Sequence, residues 1–280
     1  MKLEAVRIGL VTFGAGKAEI RAAARRVARQ GRKSGRFSLI SLNTDITLRR
    51  DHQEFCEKHK DMLHVDVRGF GYWIWKPYLI NYMLRTWQGN VDFLLYLDSG
   101  CEINYSKESE RRWQDYLDLM KNDTGRLVMQ QQYVEKHWQK MDVVKTLGLS
   151  QEALESGQIL GGVLALRADE GNIRLTQEWL DLCTSNNYHL VDDTPSRIPN
   201  ESYFVEHRHD QSILSALIKR DGATIIPVET YWSPNWIESG SKFPIWTAGN
   251  KTGISFADRS LLARARWLAR RVKNKALGTR

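Results

Sequence analysis

Apolar and polar positions alternate between strand-like and helix-like segments along most of the chain. Ile8-Gly9-Leu10-Val11-Thr12-Phe13 and Phe37-Ser38-Leu39-Ile40-Ser41-Leu42 read as strands, and the Ala- and Arg-rich stretch from Lys17 to Gln30 between them suits a helix. A second helix is expected near Asp51 to His59. Pro77 suits the first position of a helix, where an N–H would go unpaired anyway, and Leu79, Ile80, Met83 and Leu84 follow at helical spacing. Gln88-Gly89-Asn90 breaks it. Phe93-Leu94-Leu95-Tyr96-Leu97 is a short, wholly apolar run, the mark of a strand buried on both faces. This β-α-β-α order predicts an α/β fold with a mostly parallel central sheet and helices on both faces.

The later pattern continues in kind. Ser106 to Asn122 is a polar helix, Arg126 to Gln130 a strand and Trp138 to Leu147 a helix, and Ser150 caps a short helix that ends near Gly157. Gln158 to Leu166 is a strand with two internal glycines, Gly161 and Gly162. They mark either a bulge or a place where a ligand approaches the backbone. Asn172 to Ser185 and Ile213 to Ile218 are helical, and Ala223 to Val228 is a late strand. Asp192 to Ser202, rich in Asp, Pro, Ser and Asn, reads as a loop and a mobile lid. With no internal repeat and no linker, residues 1–258 form one domain.

Charge changes this picture at one end only. The net charge is +8, and residues 259–280 hold eight of the 41 basic residues and no acid, so the remaining body balances its 33 acids. A neutral body excludes a nucleic-acid-binding surface as the main function and singles out a basic tail. Leu261, Leu262, Ala265, Leu268 and Val272 give that tail an apolar stripe, suited to a basic amphipathic helix on an anionic membrane surface or docked on the body. No stretch is long and apolar enough to span a membrane, and Glu4 and Arg7 interrupt any secretory core. Cys56, Cys101 and Cys183 are widely spaced and odd in number, which suggests reduced thiols in the cytoplasm. Ten Trp is a high count, and most are expected in the core.

Four places carry candidate chemistry. Asp98 closes the buried strand, the position from which an α/β protein presents a carboxylate to a ligand or a divalent cation, and Glu102 follows closely. Glu206-His207-Arg208-His209-Asp210-Gln211 sets imidazoles, carboxylates and an amide just before a helix, where Asp210 serves as a general base, a hydrogen-bonding group or simply a cap. In Arg68 to Lys76, the cations can neutralise phosphate and Trp73 or Trp75 can stack on a base or sugar. Gly249-Asn250-Lys251-Thr252-Gly253 is a flexible segment with a single Lys.

In combination these residues resemble the GT-A fold glycosyltransferases. Leu94 to Gly100 is similar to the strand end that bears their Asp-x-Asp motif. Gly157 to Leu166 is similar to the segment beside the donor sugar, His209-Asp210-Gln211-Ser212 to an Asp-Gln-x-x-Leu segment, and Lys251 to a C-terminal Lys on the diphosphate. The phrases GFGYWIWKPYLI and LDSGCEIN are similar to a bacterial, surface-polysaccharide branch, and the resemblance spans roughly residues 6 to 255. It departs at Gly100, where the second Asp would stand, and the histidine near the C-terminal Lys is also missing. The resemblance implies a Rossmann-like GT-A domain that moves a sugar, hexosyl or related, from a nucleotide-diphosphate sugar to a glycan or lipid-linked acceptor on the cytoplasmic membrane face. The donor would meet Thr12, Phe13, Arg68, Trp75, Lys76, Asp98, Ser99, Gly161, Gly162 and Lys251. Asp210 and Gln211 would act on the sugar. Mn²⁺ or Mg²⁺ would sit on Asp98 with Glu102 or His209, or on Asp98 and the diphosphate alone, or, given Gly100, no metal would be used. The rival readings are a non-catalytic nucleotide-sugar or carbohydrate binder, for which Gly100 speaks, and a metal-dependent phosphoesterase built on His207, His209 and Asp210.

Overall fold

A computed structural model describes residues 6–229, 240–256 and 258. The basic tail, residues 259–280, lies outside the described residues, and so does any test of its membrane role. Among the described residues there are eight strands: β1 Ile8–Gly14, β2 Leu39–Thr44, β3 Phe93–Asp98, β4 Glu102–Ile103, β5 Arg126–Val134, β6 Gly157–Arg167, β7 Thr224–Pro227 and β8 Ile245–Trp246. Six of them form the central sheet in the order β2-β1-β3-β6-β5-β7, and β4 pairs with β8 in a small second sheet. In the central sheet β1 runs parallel to β2 and β3, β5 runs parallel to β7, and β6 alone is antiparallel to its neighbours β3 and β5. The expected α/β architecture with a mostly parallel sheet is therefore observed, with one reversed strand inside it.

Side chains on alternate faces of β3 explain the layers. Leu94 and Tyr96 enter one core with Phe13, Leu79, Ile80, Trp179 and Ile213. Phe93, Leu95 and Leu97 enter the other with Val27, Trp113, Tyr116 and Met120. The helices Trp75–Trp87, Glu170–Thr184 and Asp210–Asp221 cover the first face, and Ala18–Ser34 and Lys107–Met120 the second. Among the described residues, no helix is long and apolar enough to cross a membrane.

Several boundaries differ from the pattern reading, each for a local reason. The helix expected from Pro77 begins at Trp75, so Pro77 sits inside the first turn, where N–H groups are still unneeded. The expected helix at 51–59 is two short ones, Asp45–Asp51 and Gln53–Lys58, and the first starts at a capping box between Thr44 and Thr47. Trp138 is not helical, and the helix there is Met141–Leu147. Ser150 does cap Gln151–Glu155, accepting the Ala153 N–H at 3.1 Å.

The segment Asp192 to Ser202 is not a loose lid. Asp142 accepts the backbone N–H groups of Arg197 at 2.7 Å and Ile198 at 3.0 Å, and its own N–H donates to Ser196 Oγ. His189 Nε2 adds a contact to the same carboxylate at 2.7 Å. Burial opposes the Asp142 charge, but these donors outweigh it and hold its pKa at about 2. A sequence rich in turn formers is here a loop pinned by its neighbours' hydrogen bonds.

Candidate active site

The chain leaves β1 to build β2 on one side and returns to build β3 on the other. The connections that leave the paired C-terminal ends of β1 and β3 therefore run to opposite sides, and such a switch point is where open α/β sheets place ligands. Asp98 stands there, paired in register with Phe13. The register Leu97↔Val163 then brings Gly162 of the reversed strand β6 beside it.

Lys76, from the first turn of the helix Trp75–Trp87, reaches into this point from below the sheet. It is 3% exposed. Its Nζ lies 2.9 Å from Asp210 Oδ2 and 3.6 Å from Asp98 Oδ1, and it donates to the Gly161 carbonyl at 3.2 Å. The Tyr96 hydroxyl donates to Asp98 Oδ1 at 2.6 Å. Burial works against the Lys76 charge, but Asp210 and Asp98 outweigh it, so its pKa is raised. Burial pushes Asp210 up, Lys76 pulls it back, and its pKa settles at about 6. The Asp98 side chain is 41% exposed, so of the two carboxylates it is the one a ligand can meet.

Gly161 and Gly162 are explained by the side chains that lie against them. A Cβ on Gly162 would come within 2.8 Å of Asp98 Oδ2, and one on Gly161 within 3.1 Å of the Gln211 side chain. The strand is also irregular here, with a register shift between the Val128↔Leu164 and Gln130↔Ile159 pairs. The bulge and the close approach thus coexist, and what approaches is the protein's own site.

Gln211 is set by a relay that the sequence did not reveal. Its Oε1 accepts the Gly161 N–H at 2.9 Å, and its Nε2 donates to Gln158 Oε1 at 2.7 Å and Gln131 Oε1 at 3.1 Å. Gln158 Nε2 donates in turn to the fully buried Glu135 at 2.9 Å. Gln139, Ser215 and Lys219 also bind Glu135. A carboxylate only accepts, so Glu135 fixes the direction of every amide above it. Both Gln211 N–H groups are then spent, and what it can offer a ligand is the second lone pair of Oε1. The one signal in the sequence was Glu135 and Gln139 at helical spacing, which periodicity alone reads as surface.

Other expected site residues are engaged elsewhere. Thr12 and Phe13 are 0% and 2% exposed, and Trp75 is stacked on Phe13 with ring centroids 3.8 Å apart. These three are core, so the expected donor contacts there are corrected. Arg68 is tied to Glu206 and lies 3.5 Å from Asp193. The Ser99 carbonyl accepts from Arg26 at 2.8 Å. Lys251 is exposed, and the neighbouring Asn250 N–H donates to the Gly100 carbonyl at 2.9 Å, which seats this segment at the Asp98 turn. Among the described residues Trp75, Trp113 and Trp179 are buried, Trp73 and Trp87 pack half-buried against the core, and Trp138 and Trp246 are half-buried as well.

The metal ligands expected beside Asp98 do not fit a divalent cation. Glu102 is 1% exposed and its carboxylate accepts from Asn250 Nδ2 at 2.6 Å, Gln30 Nε2 at 3.2 Å and the Phe256 N–H at 2.9 Å. His209 Nδ1 must donate to the Val191 carbonyl at 2.8 Å, so its Nε2 keeps a lone pair; that nitrogen is buried without a hydrogen-bond partner and faces Asp193 at 3.7 Å. His207 Nε2 donates to the Leu190 carbonyl at 2.9 Å, and its Nδ1 takes the Lys140 N–H. Burial lowers both histidines, which keeps them neutral in these fixed tautomers. No cluster of three or more metal-binding side chains occurs among the described residues. A cation beside Asp98 would also face the Lys76 ammonium. Even two unit charges 4 Å apart repel by about 4 kcal/mol at an effective dielectric near 20.

The approach to this site is strained. Gly69, Phe70, Gly71, Tyr72 and Trp73 all have φ between 48° and 93°. The Trp75 indole N–H clasps the Gly69 carbonyl at 3.0 Å, and Tyr72 and Trp73 pack on His209, itself at φ 56°. Five successive left-handed residues persist only where their surroundings dictate them. Here they serve to turn the chain sharply into the helix that carries Lys76.

No family model matches this chain, and no curated protein matches it in sequence. Three of the solved structures similar to it are glycosyltransferases. A glycosyltransferase involved in the glycosylation of the major capsid of PBCV-1 shares 10% identity at a TM-score of 0.47, over 86% of this chain and 92% of the other. Mouse xyloside xylosyltransferase 1 shares 12% identity at 0.47, over 89% and 100%. The bifunctional glycosyltransferase WbbM shares 12% identity at 0.47, over 88% of this chain and 46% of its own. This chain thus spans about half the length of WbbM.

Proposed function

We propose that the chain is a glycosyltransferase that takes a sugar from a nucleotide-diphosphate donor and passes it to a glycan or lipid-linked glycan acceptor, as in cell-surface polysaccharide synthesis. The observation that carries this reading is the convergence of Asp98, Lys76, Asp210 and Gln211 on one switch point. Asp98 and the second lone pair of Gln211 Oε1 accept hydroxyls of the donor. Lys251, beside the Asp98 turn, meets the diphosphate. Asp210 is buried at 3% exposure and bound to Lys76, which suits it to hold that ammonium in place rather than to draw a proton from an incoming acceptor. The phosphoesterase alternative has less to stand on, because His207 spends both ring nitrogens on the backbone and His209 its Nδ1, which leaves His209 Nε2 as the one imidazole nitrogen of the pair without a hydrogen bond.

A thermal-shift screen of uridine, guanosine and thymidine diphosphate sugars tests the reading, since a ligand of the folded state alone raises the midpoint. At least one donor should do so, and Asp98→Asn should cut its turnover about 100-fold, the loss of about 3 kcal/mol of transition-state binding. If no donor shifts the midpoint, or the variant turns over like the wild type, the proposal fails. A shift with no turnover in the wild type would identify the non-catalytic binder instead.

Gly162→Ala probes the same site more gently. The added Cβ must push Asp98 away from Tyr96 and Lys76. Donor affinity by calorimetry should fall about tenfold, close to 1.4 kcal/mol, while the melting midpoint barely moves. Unchanged affinity would show that the Asp98 position does not matter to the donor.

A further inference from the structure

We propose that this site binds the donor diphosphate without a divalent cation, because the Lys76 ammonium stands between the two carboxylates that would otherwise hold one. The inference rests on the donor reading above and specifies how that site works. Three observations carry it.

The first is the shell around Nζ. Nζ donates to the Gly161 carbonyl at 3.2 Å and stands as an ion-pair partner 2.9 Å from Asp210 Oδ2 and 3.6 Å from Asp98 Oδ1, so the ammonium fills the space between the two carboxylates. Two aromatic rings also flank the ammonium, with Nζ 5.5 Å from the Tyr96 ring centroid and 5.9 Å from that of Trp75. Lys76 is 3% exposed, so moving its ammonium aside would require its neighbours to repack.

The second is the loss of the alternative ligand. Glu102 is spent on Asn250, Gln30 and Phe256 and anchors the C-terminal segment instead. The third is Gly100, which stands where a second acid would extend the set. A Cβ on Gly100 would lie 3.3 Å from Gly249 Cα, in the very segment that carries Lys251. An acidic side chain at position 100 and a closely seated Lys251 segment compete for the same space, and this chain has the latter. Asp98 then offers its outer oxygen to a donor hydroxyl, and the diphosphate takes its positive partner from Lys251.

Two measurements on the full chain decide this. Mn²⁺ is titrated into the protein and followed by electron paramagnetic resonance. Uridine and guanosine diphosphates are titrated calorimetrically in EDTA and in Mn²⁺. The wild type should bind no stoichiometric Mn²⁺, and nucleotide affinity should agree within about twofold between the two conditions. In Lys76→Gln the carboxylate pair is freed, so Mn²⁺ binding should appear and nucleotide binding should become Mn²⁺-dependent. Stoichiometric Mn²⁺ on the wild type, a tenfold or greater loss of nucleotide affinity in EDTA, or a folded Lys76→Gln that gains no Mn²⁺ would each overturn the proposal. If that variant does not fold, the wild-type titrations decide alone. Failure of both nucleotides under every condition, together with no midpoint shift from any of the three donor classes, would overturn the donor reading, and with it the donor-binding half of this inference. The Mn²⁺ titration would still show whether the ammonium keeps a cation out.

Discussion

Replacing Arg26 with Met is expected to lower the unfolding free energy by about 3–5 kcal/mol, the cost of removing one partner from a buried charged network. Arg26 lies on the helix Ala18–Ser34 and is 0% exposed. Its Nη1 donates to the carbonyls of Asn250 at 2.9 Å and Thr252 at 2.8 Å, and its Nη2 to those of Ser99 at 2.8 Å and Cys101 at 2.7 Å. Glu102 lies 3.9 Å away and is buried as well. One planar fork thus joins the turn after Asp98 to the segment bearing Lys251. Lysine cannot copy it, having a single nitrogen, so Arg26→Lys should recover only a minor part of the loss. Because both joined segments border the site, the variant should also lose donor binding under conditions where it remains folded. Urea denaturation with a calorimetric donor titration checks both effects. A loss below about 1 kcal/mol, typical of a surface substitution, would mean that the fork is dispensable.

Arg26 also shows where reading the sequence stopped. Its helix was legible from Ala and Arg content, but the arginines of that helix look alike until the fold reveals which of them faces inward. Asp98 was legible because a wholly apolar run ending in an acid has few meanings. Lys76 was noticed for its charge, yet its role depends on Asp210 more than a hundred residues away, a pairing that no local pattern encodes. Trp75 was misjudged for a related reason. An aromatic beside glycines reads as a stacking platform, whereas the left-handed run from Gly69 to Trp73 folds it onto Phe13. Glu102 sat at the right distance in sequence from Asp98, but the short pairing of β4 with β8 turns it toward Asn250 and Phe256. Periodicity specifies elements and faces, while long-range polar partners are settled only by how the elements meet.

The destabilisation caused by Lys76→Met should depend strongly on pH. In the wild type Asp210 has a pKa of about 6, above the roughly 3.9 of an unfolded aspartate. Between those values the folded state holds the extra proton, so this contribution to stability is complete below about pH 4 and is lost as the pH rises through 6. The span is on the order of 2–3 kcal/mol. Lys76 has its pKa raised, so its own contribution is intact throughout this range and fades only in strong alkali. Without Lys76, burial and the nearby Asp98 still press Asp210 upward and nothing pulls it back. Its folded pKa must rise further, and the loss must continue to higher pH than in the wild type. At pH 8 the variant therefore faces either an unpaired buried carboxylate or the work of protonating it, and should be about 3–5 kcal/mol less stable than the wild type. At pH 5 Asp210 can be neutral in both proteins and the gap should shrink to roughly half or less. Adding Asp210→Leu removes the orphaned charge and should restore part of the loss at pH 8. Urea denaturation of the three proteins at both pH values tests the argument. A gap between wild type and Lys76→Met that does not change with pH would mean that Asp210 is not the group Lys76 holds in its charged form.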